Sequence, residues 1–142
     1  MFRHILVPLE NSPTDETMLA YIPRLCRSMG ARVTLIHVAD GFAARYQESL
    51  NLAASEEMRQ DWKYLEDKAA ELRAGGCDVA THLAGGEPSK EIVAYAEANG
   101  HDLIAMCTHG HKLLGDLIHG SVVYGVRHET EIPILLIRDK KL

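Results

Sequence analysis

The chain has 142 residues, a formal net charge of −5, 46% apolar residues and 25% charged residues. That is one domain's worth of ordinary globular composition, which argues against disorder, and the acidic balance argues against general affinity for nucleic acid or an anionic membrane. The three cysteines, Cys26, Cys77 and Cys107, are odd in number, far apart and in no Cys-x-x-Cys pattern, as expected of reduced thiols in a cytoplasmic protein rather than a disulfide framework or zinc site.

No apolar run approaches the ~20 residues needed to span a bilayer. Met1 to His4 runs straight into a strand-like segment with no signal-peptide layout. Ile5-Leu6-Val7-Pro8-Leu9 is nearly all apolar, as expected of a parallel strand covered on both faces. In Ser12-Pro13-Thr14-Asp15 a hydroxyl can cap, a proline can take the first helical position, and an acid follows three residues on. Met18, Ile22, Leu25 and Met29 then recur at helical spacing up to Gly30.

Residues 32 to 38 form a second strand, and 39 to about 54 show no clean period, suiting a long loop or an irregular helix start. Met58, Trp62, Leu65, Ala69 and Leu72 make one helical stripe, core or interface in character, ended by Gly75-Gly76. Cys77 to Ala84 is the most polar strand and therefore an edge candidate. Pro88 opens a helix through Ile92, Val93 and Ala96 that stops at Gly100, and Leu103 to Cys107 is a fourth, apolar strand. A loop rich in glycine and histidine runs from Thr108 to His119. A last helix covers roughly Ser121 to Glu129. Ile132 to Ile137 is the fifth strand, with Pro133 near its start as suits an edge.

Strands alternating with helices predict an α/β domain over residues 1–142, an open five-stranded parallel sheet with right-handed crossovers and helices on both faces. In the order 3-2-1-4-5, strands one and four are central neighbours at the topological switch point, where such sheets bind ligands at the strands' carboxyl ends. Those ends are Pro8-Leu9-Glu10 and Cys107-Thr108-His109-Gly110.

Gly110, nine residues, then Gly120 and Ser121 is a spacing that can hold phosphate. A helix N-terminus presents unpaired N–H groups, Gly120 allows close backbone approach, and Ser121 adds a hydroxyl donor. The plainer alternative is two loop glycines and an ordinary N-cap. His109, His111, His119 and His128 admit a phosphate clamp or metal site. Solvated loop histidines are the simpler account, since no further ligands are arranged around His109 and His111. Lys112 either reaches a terminal phosphate or is solvated. Cys107 is either a redox-sensitive thiol or a small apolar strand residue.

Asp102 to Gly110, Gly120-Ser121-Val122, Ile132 to Ile137, Ile5 to Ser12 and His37-Val38 together resemble the universal stress protein family of UspA type, along the whole chain. The resemblance implies an adenine nucleotide alpha hydrolase-like domain, usually dimeric and made under stress. It also implies, in one branch, ATP binding through Gly-x-x-Gly-(nine residues)-Gly-Ser/Thr. Carried over, the motif's second and third glycines are Gly110 and Gly120, its hydroxyl is Ser121, and its first glycine falls on Cys107. Glu10 stands where the ATP-binding branch usually has aspartate near the ribose or metal. Pro8, Leu9 and Val38 match positions framing the adenine, and Val122 continues the helix N-terminus.

The expected ligand is therefore ATP or a related adenine nucleotide, with or without Mg, held as a regulatory ligand. The expected assembly is a homodimer pairing the edge strand near Ile134–Ile137 antiparallel across a two-fold, unless a helix or chain end covers that edge. Two other functions remain open. One is a nucleotide-free interaction module for an unidentified protein partner, its pocket vestigial because of Cys107. The other is a slow ATPase using Glu10 to position a metal. There is no Walker loop and no Gly-x-Gly-x-x-Gly after the first strand. A phospho-acceptor domain needs paired acids after strand one and an aspartate ending strand three, where Glu10 stands alone and Ala84 occurs. No Ser/His/Asp constellation nominates a catalytic nucleophile or base.

Overall fold

The computed structural model describes residues 1–40, 47–108 and 122–139. Its elements are β1 (His4–Pro8), α1 (Asp15–Met29), β2 (Arg32–Asp40), α2 (Gln47–Ala74), β3 (Asp78–Gly86), α3 (Pro88–Ala98), β4 (Leu103–Thr108), α4 (122–129) and β5 (Ile134–Arg138). The strands form one parallel sheet in the order β3-β2-β1-β4-β5, as expected. β3 and β5 are its edges.

Alternation along the central strands builds two cores. Ile5, Val7, Val33, Leu35 and Ala105 face α1 and α2, meeting Met18, Ile22, Leu65 and Ala69. Leu6, Ile36, Ile104 and Met106 face the other way, against Ile92, Val93 and Ala96 of α3 and Val126 of α4. Both faces are thus covered, which is why β1 and β4 read as continuous apolar runs rather than alternating ones.

α1 departs from expectation at its start. The helix begins at Asp15, its N-cap Thr14 makes no side-chain cap bond, and the Ser12 hydroxyl donates instead to the Glu10 carboxylate at 3.2 Å. Only the acidic half of the capping box forms, with the Ser12 N–H donating to Asp15 at 3.2 Å. The end agrees: Gly30 adopts φ 63° and its N–H donates to the Cys26 carbonyl at 2.8 Å, a left-handed stop that a Cβ would strain.

Two open expectations are narrowed, and of the alternatives for 39–54 the helix start holds for its later part. Of the 39–54 segment, residues 39–40 belong to β2 and 47–54 to α2, while 41–46 lie outside the described residues. Trp62 is 45% exposed and so is not a core residue; the buried face of α2 is carried by Leu65, Ala69 and Leu72. Among the described residues no helix is long and apolar enough to cross a membrane.

Candidate functional site

β1 stays paired with β2 out to Pro8↔Ile36, and β4 stays paired with β5 out to Thr108↔Arg138. Between β1 and β4, however, the register stops at Leu6↔Ile104. Each central strand follows its own outer neighbour as the sheet twists, so the two part toward their carboxyl ends. The gap is a cavity of about 230 Å³.

Its walls come from the carboxyl ends of β1, β2 and β4 and from the helices beside them. Pro8, Leu9 and Glu10 continue β1, while Ile36, His37 and Val38 belong to β2 and Met106 and Cys107 to β4. Pro88 and Ile92 of α3, Val122 and Val123 of α4, and Asp15 of α1 close it. The size lies just below the range of about 300–1,000 Å³ typical of small-molecule sites, and the lining is mainly apolar with a few polar groups, as such sites require.

Of the residues singled out from the sequence, Pro8, Leu9, Glu10, Val38, Cys107 and Val122 meet around this cavity. Gly110, Gly120 and Ser121 lie outside the described residues, as do His109, His111, Lys112 and His119. His128 is on the exposed side of α4, stacked on Tyr124 with ring centroids 4.0 Å apart and donating from Nδ1 to the Tyr124 carbonyl at 2.9 Å. Among the described residues no group of three or more His, Cys, Asp or Glu side chains is arranged to hold a metal ion.

The polar lip of the crevice is organised by a residue that sequence reasoning treated only as part of a helix cap. Asp15, 3% exposed, accepts hydrogen bonds from the Glu10 N–H at 2.9 Å, the Ser12 N–H at 3.2 Å and the Tyr64 hydroxyl of α2 at 2.8 Å. These bonds fix a turn whose middle residue, Asn11, sits at φ 59°, a left-handed conformation that asparagine tolerates better than most side chains. Burial pushes the Asp15 carboxyl above its ordinary range, against the opposing pull of those donors.

His37 braces the same lip from the other side. Its Nδ1 donates to the Leu9 carbonyl at 2.8 Å, and its Nε2 faces Asp61 at 3.6 Å. Asp61 in turn accepts from the Asn11 amide at 3.0 Å. The dipeptide His37-Val38 had marked the end of β2, but a ring reaching back to Leu9 requires the two strands side by side.

Cys107 lines the cavity and also packs against the α1-side core. Burial, reinforced by the Asp139, Glu10 and Asp15 carboxylates, pushes its thiol up to about 12. The reactive thiolate is therefore suppressed at neutral pH, and the small apolar role is the one the surroundings support. Beneath it, the Asp139 N–H donates to the Thr108 carbonyl at 2.8 Å and the Thr17 hydroxyl donates to the Asp139 carboxylate at 2.8 Å. These two bonds tie the ends of β4 and β5 to α1.

The model of the universal stress protein family matches residues 1–138. Universal stress protein MJ0577 of Methanocaldococcus jannaschii is 27% identical over 157 residues, spanning 99% of this chain and 97% of its own. The solved MJ0577 structure superposes with a TM-score of 0.85 at 29% identity, covering 100% of this chain and 99% of the other. The fold is shared more distantly by a universal stress protein from Archaeoglobus fulgidus in complex with dAMP (TM-score 0.69, 18% identity, 96% and 98% of the two chains). A universal stress protein in complex with cAMP shares it too (TM-score 0.71, 14% identity, 96% of each chain). From residue 1 to residue 138, and with a parallel sheet of this order opening at its switch point, the chain belongs to the universal stress protein family.

Proposed function

We propose that the crevice between β1 and β4 binds ATP or a related adenine nucleotide as a regulatory ligand. The observation that carries this reading is the convergence of Pro8, Leu9, Glu10, Val38, Cys107 and Val122 on one cavity at the switch point. Apolar walls suit a purine face, and the Glu10 carboxylate suits sugar hydroxyls. Gly110, Gly120 and Ser121 would supply backbone and hydroxyl donors for phosphate. The dAMP and cAMP complexes of family members with this fold support the ligand class.

Calorimetric titration of the purified chain with AMP, ADP and ATP, with and without Mg, tests this directly. Saturable binding at micromolar concentration is expected. No saturable binding below millimolar, with any of the three, sinks the proposal. The second reading, a vestigial pocket in an interaction module, draws on the Cys107 side chain in the cavity wall where the motif has glycine. On that reading Cys107→Gly binds nucleotide and the parent does not.

The homodimer belongs to the same proposal. β5 is an edge strand, and Leu136 on it is 42% exposed, an apolar edge that pairing with a second copy would cover. Light scattering is expected to give twice the chain mass, and Leu136→Glu to return it toward the monomer. A parent that runs as a monomer at tens of micromolar removes this part of the reading.

A further inference from the structure

α4 carries a glycine, Gly125, in the middle of its eight residues, where glycine is the poorest helix former after proline. Its backbone conformation needs no glycine, since its φ lies outside the left-handed region. The reason is packing. A Cβ built at Gly125 would lie 2.7 Å from the Cβ and 2.7 Å from the Oγ of Ser89, whereas ordinary contact begins at 3.4 Å. Ser89 stands in the first turn of α3 and is buried, so it has no open space into which to retreat.

The two helices that meet at this contact form one wall of the crevice. Pro88 and Ile92 flank Ser89 on α3, and Val122 and Val123 occupy the first turn of α4, all four lining the cavity. A side chain at position 125 would push α4 outward by about 0.7 Å, carrying Val122 and Val123 with it. Displacements of that order at a ligand wall are enough to degrade complementarity.

We propose that Gly125 is a positioning residue: its missing side chain seats α4 against Ser89 and so sets the width of the nucleotide crevice. This inference rests on the reading of the crevice as a nucleotide site. It adds a determinant that neither the glycine motif nor the cavity lining contains, since Gly125 itself does not touch the cavity.

The test is a two-residue exchange read by affinity and by melting temperature. Gly125→Ala is expected to weaken AMP, ADP and ATP binding by about tenfold. Adding Ser89→Gly removes both atoms the new Cβ would strike, and the double variant is expected to bind within about twofold of the parent. A purely structural role would move the melting temperature and leave the dissociation constants alone. Gly125→Ala binding like the parent overturns the inference, and so does a weakened variant that Ser89→Gly fails to rescue. If Gly125→Ala does not fold alone, the double variant decides: folded and binding supports the inference, whereas unfolded or non-binding overturns it. A parent that binds none of the three nucleotides defeats the proposed function and this inference together. A parent that binds, with Gly125→Ala unaffected, defeats this inference alone.

Discussion

Replacing Asp15 with alanine is expected to lower the stability of the chain by about 3 kcal/mol and to abolish ligand binding in the crevice. Each hydrogen bond to a buried carboxylate contributes about 1.5–3 kcal/mol. Asp15 accepts three, from Glu10, Ser12 and Tyr64. The total falls short of three full bonds because the two N–H groups sit on a half-buried lip and regain water when released. Without the carboxylate, the turn that holds Asn11 left-handed loses its bonds from the Glu10 and Ser12 N–H groups and keeps the Asn11 amide's bond to Asp61. Tyr64→Phe removes the hydroxyl's bond to Asp15 at 2.8 Å and its longer contact with the Ser12 carbonyl at 3.4 Å, and is expected to cost about 1 kcal/mol with the lip intact. Urea unfolding at neutral pH measures both. An Asp15→Ala variant within about 1 kcal/mol of the parent would mean that the carboxylate does not hold the lip together.

Acidification from pH 7 to pH 4 is expected to remove about 3 kcal/mol through one group, His101, at the opposite end of the sheet. The residue is 4% exposed, and neither ring nitrogen has a hydrogen-bond partner among the described residues. It stacks on His4 with centroids 3.7 Å apart and lies 5.6 Å from the ring of Tyr95. Burial, and the neighbouring His4, lower its pKa to about 4, while the Ala96 backbone and the Asp102 carboxylate pull weakly the other way. The Asp102 carboxylate itself is taken up by the N–H groups of Arg3 and His4. His4 is also lowered, by burial and by Arg32.

In the unfolded chain His101 takes up a proton below about 6.5, and in the folded chain only below about 4. Between those values the unfolded state holds more protons, so stability falls as pH falls, and the loss is complete once the folded group also titrates. His101→Phe keeps a ring against His4 and Tyr95 but cannot be protonated. The stability difference between parent and variant should therefore shift by about 3 kcal/mol across this window. Parallel stability curves for the two chains from pH 7 to pH 4 rule His101 out as the acid-sensitive group.

Local pattern carried much of the architecture. Apolar runs such as Ile5 to Val7 and Leu103 to Met106 marked covered strands, Gly30 marked a helix stop, and Pro88 marked a helix start. The polarity of β3 and Pro133 before β5 marked the two edges, and both are edges. Each of these signals is a preference of one segment for its own conformation or burial, so it survives without knowledge of the partner. The start of α1 was misread for the same reason. Ser12 offers a cap by type, but its hydroxyl found the nearer carboxylate of Glu10 once the turn at Asn11 formed.

The sequence by itself determined which strands are buried on both faces, where the helices stop and which two loops end the central strands. Six of the expected site residues, Pro8, Leu9, Glu10, Val38, Cys107 and Val122, follow from those loops and from the family resemblance, and they meet at one cavity. Only the tertiary structure decided what holds that cavity. Asp15 and Tyr64 are 49 positions apart, Leu9 and His37 are 28 apart, and Gly125 meets Ser89 across two helices. No local period encodes such pairs, because each residue satisfies its own segment equally well with many partners. The choice is made when the sheet twists, β1 and β4 part after Leu6 and Ile104, and the helices close over the gap.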